Sequence, residues 1–322
     1  MSSVAAIKES SSQFLNWFWD LASDESLKRL SAASSIIEYL KLQETESNDI
    51  SKDSEYSLKR LVRGLASSRE SARQGFATCL SEFMKEVPKV DIQKVLLLLT
   101  DTTKVTGSVK GADERDLLFG RLFGYFAIIR SGRLAAESSE TKEIMFDGIL
   151  NMIKSKGWLR EVVVEALLLF LNHLCESEDV FIQNYIPKLI PLVSTPIMEM
   201  SASQLMLALG LEAYARKLKK DSSIRKQTLK ILPQKHMLTQ ESIEEMVPIL
   251  IASCAGFPKI HRVWDFVLGA IFSIEKDFTL PNSRLASLST SKEELLIAFT
   301  NFVDVNLNST SHEKRGSKTE LI

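Results

Sequence analysis

The sequence has 322 residues, 45% of them hydrophobic and 25% charged, with a formal net charge of -1. That is enough apolar content for a substantial core, and the balanced charge excludes a global field for nucleic acid or membranes, so such binding must come from a local patch. The 13 glycines and 8 prolines are too few for the many tight turns of an all-β fold.

Taken in chain order, the apolar residues recur at helical spacing. Met1–Ser12 is polar, without the hydrophobic run of a secretory signal, and is expected to be flexible. The serines at 10–12 are expected to cap a helix over 13–22. Asp24 is expected to cap a longer helix in which Leu27, Leu30, Ile37 and Leu40 make one stripe. Glu44–Ser54 reads as a surface loop. The next hairpin pairs YSLKRLVRGLA with ESARQGFATCLSEFMKEV, whose Phe76, Cys79, Leu80, Phe83, Met84 and Val87 share a face. Residues 91–102 read as a helix, although so short an apolar run is also compatible with a buried strand.

A loop over Lys104–Ala112 leads to a helix with Asp113, Glu114 and Asp116 in its first turn, Arg130 in its last and Gly132 beyond it. Further helices are predicted at 139–156, closed by Gly157, and at 158–175. The latter is apolar nearly all round, but its most apolar stretch, Val162–Leu171, is too short to span a bilayer and is flanked by Arg160, Glu161 and Glu165. Pro187, Pro191 and Pro196 restrict 179–200 to short helical pieces. Helices follow at 202–218, 223–231, 240–254, 259–275 and 290–306, and Ser309–Ile322 reads as a disordered tail. The expected fold is all-α, an α-solenoid of stacked antiparallel hairpins with degenerate HEAT- or armadillo-like repeats. Its blocks are 13–178 and 179–307, the second continuous with the first, and 308–322 a tail. The competing architecture is a globular helical bundle.

Catalytic signatures are missing from the sequence. There is no phosphate-binding glycine loop; Gly120 and Gly124 lie inside an apolar helix, where small residues let a neighbour approach closely. His173, His236, His261 and His312 are scattered, without metal-ligand spacing. His173 and Cys175 stand two apart, so on a helix they point in different directions. Asp113/Glu114 and Glu244/Glu245 read as helix-terminal or solvated charge. Cys79, Cys175 and Cys254 lie far apart and read as reduced thiols buried as small hydrophobes in an intracellular compartment. No catalytic residue, metal, cofactor or small-molecule substrate is therefore assigned.

Charge offers two candidate surfaces. Between Arg216 and Lys230 stand seven basic residues, Arg216, Lys217, Lys219, Lys220, Arg225, Lys226 and Lys230, against one acid, Asp221. Three readings fit: a solvated loop between helices, a nucleic-acid or partner contact, or a nuclear import signal. The tail HEKRGSK is a weaker cluster of the same kind. Around Ser67-Ser68 stands a cluster of Lys59, Arg60, Arg63, Arg69 and Arg73. In it Lys59, Arg63 and Arg69/Arg73 form a partner-facing ridge or, on the other reading, the cluster is a set of carbonyl caps and pairs with Glu55 and Glu70.

Four strings resemble one family. YSLKRLVRGLASSRESARQGFATCLSEFM (Tyr56–Met84) is similar to the Y-x-L-K-R-L-x-x-G-L-x-x-x-R-E-x-A-R hairpin of the Myb-binding protein / DNA polymerase phi family, also called the DNA polymerase V family. FLNWFWDLASDESLKRLSAASSIIEYL (Phe14–Leu40), RDLLFGRLFGYFAIIRSGRL (Arg115–Leu134) and FPKIHRVWDFVLGAI (Phe257–Ile271) are similar to other segments of it, in the family's order. The resemblance implies a helical-repeat protein of the nucleus and nucleolus. It further implies roles in ribosomal RNA transcription and large-subunit ribosome assembly, with nucleolar, pre-ribosomal or transcription proteins as partners. Contact with ribosomal DNA or pre-ribosomal RNA would fall to the local basic patch. The polymerase label implies an enzyme, but template-directed synthesis needs paired carboxylates held for two metal ions, and this helical pattern offers no such pair. A karyopherin-like transport adaptor is a further alternative. Family members are much longer, with acidic stretches and a basic tail, so this chain is expected to be an N-terminal portion or a shortened form.

Overall fold

The computed structural model describes residues 13–44, 49–254 and 260–272. These are helices joined by turns, with no strand among the described residues. They fall into two compact units, one running up to Gly157 and including Leu169–Cys175, the other made of Trp158–Leu168 and the residues from Glu176 onward.

In the first unit, residues 13–20 form α1. It is followed by α2 (Ser26–Gln43), α3 (Lys52–Gly64), α4 (Glu70–Glu86), α5 (Ile92–Thr102), α6 (Ala112–Arg130) and α7 (Ser139–Ile153). Side-chain caps explain several starts: Ser51 accepts from the Ser54 amide, Asp91 from the Gln93 and Lys94 amides, and Ser138 from the Thr141 amide. The run at 92–102 is a helix, because Ile92, Val95, Leu96 and Leu99 bury one face while Leu97 faces solvent. α4 packs against α2, α3 and α6, and its predicted stripe from Phe76 to Val87 is buried as expected.

The stripe expected for α2 holds at Ile37 and Leu40 but not at Leu27 and Leu30. Leu27 and Leu30 are 79% and 54% exposed, and the buried face is Ala32, Ala33, Ile36, Ile37 and Leu40. The thirteen steps from Leu27 to Leu40 make about 3.6 turns, so the two point nearly opposite ways. Glu25, not Asp24, occupies the cap position and makes no side-chain capping bond. Asp24 instead accepts from the Ser71 hydroxyl at 2.8 Å, tying this turn to the start of α4. The serines at 10–12 lie outside the described residues.

Close packing depends on glycine where helices touch. A Cβ on Gly120 would press on the Ala66 backbone, and one on Gly124 would overlap the Leu99 side chain. Gly132 ends α6 at a φ of 75°, a left-handed conformation that favours glycine. Asp116 lies beyond the first turn of α6 and is buried.

In the second unit, the first half of α8 (Arg160–His173) buries Val163, Val164, Ala166, Leu167 and Leu168. α9 (Glu178–Val180) runs through one π turn, Phe181–Tyr185, into α10 (Ile186–Val193), with Pro187 in the first turn and Pro191 inside. Then come α11 (Ala202–Lys217), α12 (Ser223–Lys230), α13 (Gln240–Ser253) and α14 (Val263–Phe272). α11 is the centre of this unit: Leu205 to Leu211 are buried without interruption, and it packs against α10, α12, α13 and α14. α14 is fastened by Arg262, whose guanidinium pairs with Glu165 and whose amide donates to Glu161 at 3.0 Å. The expectation of three buried thiols holds for Cys79 alone; Cys175 is exposed and Cys254 half-buried. The helix expected at 290–306 and the tail lie outside the described residues.

Candidate interaction surfaces

The seven cations between Arg216 and Lys230 do not act as one group. Arg216, in the last turn of α11, turns inward. It pairs with Glu212 one turn earlier and donates to Nδ1 of His236. Glu212 is only 8% exposed, and its second carboxylate oxygen accepts from the Met237 amide at 3.2 Å. Arg225 also bonds to backbone, donating to the carbonyls of Leu218 at 3.0 Å and Arg216 at 3.4 Å. It satisfies acceptors that the end of α11 leaves open. Lys217, Lys219, Lys220, Lys226 and Lys230 are exposed. Among the described residues none of the five has an ion-pair partner.

The turn that carries these lysines is latched by Glu178. Its Oε1 accepts from the Ser222 hydroxyl at 2.6 Å and the Ser223 amide at 3.0 Å, and these bonds hold its carboxyl below the usual carboxylate value. Ser222 in turn caps α12. The five lysines, one at the end of α11, two in the turn and two on α12, form a cationic arc along the chain around a turn tied down by Glu178 and Arg225.

His236 is expected to make the stability of this unit depend on pH. Burial and then the Arg216 guanidinium push its pKa below the usual 6.5; Glu212 pulls the other way less strongly, and Lys235 adds the smallest push downward. The Arg216 contact requires a neutral ring with an acceptor at Nδ1. The unfolded chain, titrating near 6.5, takes up a proton before the folded one does, so stability is lost as pH falls through that value and levels off below the folded value. Thermal melts from about pH 7.5 to about pH 5.5 should show this fall, and His236→Gln should flatten it.

The ridge expected around Ser67-Ser68 also divides. Arg73 is 9% exposed; it donates to the Ser67 carbonyl at 2.7 Å, stands 3.8 Å from Asp116 and stacks 5.1 Å from the Phe119 ring centre. It closes the α3–α4 turn from within and presents nothing to a partner. Lys59 is exposed but paired with Glu55 at 2.7 Å. Arg63 and Arg69 are exposed and have no ion-pair partner among the described residues.

Next to Arg63, on the neighbouring turn of α3, stands an aromatic face. The Arg60 guanidinium lies 4.6 Å from the centre of the Phe18 ring, 5.8 Å from that of Trp19 and 5.9 Å from that of Tyr56, and donates to the Tyr56 hydroxyl at 2.7 Å. Phe18 is buried, whereas Trp19 is 72% exposed, Tyr56 43% and Leu15 42%. Helical periodicity alone does not single out these residues. A signal existed all the same: Phe14, Leu15, Trp17, Phe18 and Trp19 are more apolar bulk than one face of an eight-residue helix can bury.

Among the described residues, no group of three or more His, Cys, Asp or Glu is arranged to hold a metal ion, and no helix is long and apolar enough to cross a membrane. The described residues define an all-helical protein. The chain belongs to the DNA polymerase phi family, whose model matches residues 56–318. That match opens on Tyr56, where the second of the four strings begins. The chain is 33% identical to the rDNA transcriptional regulator pol5 of Schizosaccharomyces pombe over 199 residues, 61% of this chain and 20% of that protein. It is 28% identical to mouse Myb-binding protein 1A over 186 residues, 58% of this chain and 13% of that protein. It is 25% identical to a zebrafish Myb-binding protein 1A-like protein over 259 residues, 80% of this chain and 19% of that protein. The chain thus spans no more than about a fifth of the length of these relatives. No solved structure matches it.

Proposed function

We propose that this chain is a non-catalytic scaffold that supports regulation of ribosomal DNA transcription, and with it large-subunit ribosome production, in the nucleolus. The observation that carries this reading is family membership, with relatives named as an rDNA transcriptional regulator and as Myb-binding proteins. Within each unit the antiparallel hairpins act as degenerate HEAT- or armadillo-like repeats that hold surfaces in place. The arc of Lys217, Lys219, Lys220, Lys226 and Lys230 is the nucleic-acid contact, because five unpaired ammonium groups can replace the counterions of a phosphate backbone. Side chains that touch only phosphates position without reading sequence, as suits a scaffold.

The test is chromatin immunoprecipitation of the tagged protein with pulse labelling of new ribosomal RNA in depleted cells. Enrichment over ribosomal DNA and a fall in precursor synthesis are expected; absence from the nucleolus and unchanged synthesis would reject the reading. The family's name motivates a second reading, a DNA polymerase. Primer extension abolished by a single carboxylate substitution would establish it in place of the scaffold.

A further inference from the structure

We propose that the aromatic face of α1 and α3 in the first unit is a protein-docking surface whose occupant is an acidic amphipathic helix of a partner. The proposal deepens the scaffold reading by giving one of its surfaces a partner chemistry, and it concerns residues remote in sequence from the lysine arc.

Three observations carry it. Leu15 and Trp19 stand four apart on α1, so their side chains lie on one face; both are exposed, Trp19 at 72%. Tyr56 and Arg60 on α3 continue that face, because the Arg60 guanidinium sits among the rings of Phe18, Trp19 and Tyr56. Trp, Tyr and Arg are the residues that most often dominate binding energy at protein interfaces, above all when they are held rigid beforehand. Here the stacked guanidinium and its 2.7 Å bond to the Tyr56 hydroxyl supply that rigidity.

The charge around the face decides the partner. Of the nearby carboxylates, Asp20 is paired with Lys28 at 3.0 Å and Glu55 with Lys59 at 2.7 Å, while Asp53 accepts from the Tyr39 hydroxyl at 2.8 Å. Arg63 lies one turn beyond Lys59 on α3, exposed and without an ion-pair partner among the described residues. A short apolar strip edged by unmatched positive charge complements a helix with bulky apolar residues every three or four positions and carboxylates on its flank. A basic or polyproline segment would leave Arg63 opposed or idle.

The test is selection of a randomised peptide display library, of about 16 residues per peptide, on the full chain. Anisotropy with the most enriched peptide follows. The expected peptides carry net negative charge and Leu, Phe or Trp three or four apart. Trp19→Ala should raise Kd about tenfold or more and Arg63→Glu about fivefold. The melting curves of both variants should match wild type, since both side chains are exposed. Neutral or basic consensus peptides, no enrichment at all, or a Kd unchanged by Trp19→Ala would overturn the proposal. Binding seen only after residues 1–12 are deleted would also overturn it, by making the chain's own N-terminal segment the occupant. None of these outcomes depends on nucleolar location or nucleic-acid binding, so this proposal and the scaffold reading fail separately.

Discussion

Replacing Gly75 by alanine is expected to destabilise the first unit by about 2 kcal/mol or more, although alanine is the better helix former. Gly75 sits inside α4, where alanine should gain about 1 kcal/mol from propensity alone. The local gain is outweighed by the neighbour. A Cβ built on Gly75 would overlap the carbonyl oxygen of Leu21, a backbone atom in the connection between α1 and α2. A flexible side chain could turn away, but a peptide group can move only by displacing its segment. Leu21 is fully buried and that segment also carries Asp24, which holds the start of α4 through Ser71. Differential scanning calorimetry should find the melting temperature lowered by about 4–8 °C. Gly107→Ala is the control: nothing lies within 4 Å of a Cβ there, so its melting temperature should stay close to wild type. A Gly75→Ala protein as stable as wild type would mean that α4 and the α1–α2 connection are farther apart than described.

The same contrast between local rules and tertiary context decides how much could be read in the sequence. Periodicity located α4 and its buried face correctly, since Phe76, Cys79, Leu80, Phe83, Met84 and Val87 repeat at the helical period and meet neighbours on one side. The Gly120/Gly124 spacing was legible for a similar reason: small residues inside an apolar helix have few uses besides close approach, here to Ala66 and Leu99. α2 was misphased at Leu27 and Leu30 because its leucines outnumber what one face needs, and which of them turns inward depends on α4. The basic clusters were visible as composition but not as function. Locally, Arg216 differs from Lys217 only in having Glu212 one turn before it; what turns it inward for good is His236, twenty positions later, together with the burial of Glu212. Arg73 likewise looks like Arg69 in sequence and differs only because Ser67, Asp116 and Phe119 converge on it. Charge is readable from sequence, whereas its availability depends on which carbonyls and carboxylates the fold brings within reach.

That distinction sets the largest functional effect expected for this chain. Reversing Lys217, Lys219 and Lys220 to glutamate should weaken binding to duplex DNA by about 10²- to 10³-fold at low salt. It should leave the melting temperature near wild type, because these side chains are exposed and make no ion pair among the described residues. Salt dependence identifies the cause. Each phosphate neutralised contributes about -0.9 to the slope of log K against log salt, so the arc of five lysines allows a slope of about -4.5, and losing three of them should bring it to about -2 or shallower. Arg216→Ala and Arg225→Ala supply the opposite signature. Arg216 compensates the buried Glu212 carboxylate, and Arg225 caps carbonyls at the end of α11. Removing Arg216 leaves a buried charge without its partner and should lower the melting temperature sharply, with a smaller fall for Arg225. Neither arginine should change the salt slope by more than the loss of folded protein explains. If the triple lysine variant bound DNA with the wild-type slope, the contact would lie elsewhere. If it lost stability as the arginine variants do, these lysines would belong to the fold, and the arc would be no surface for phosphate at all.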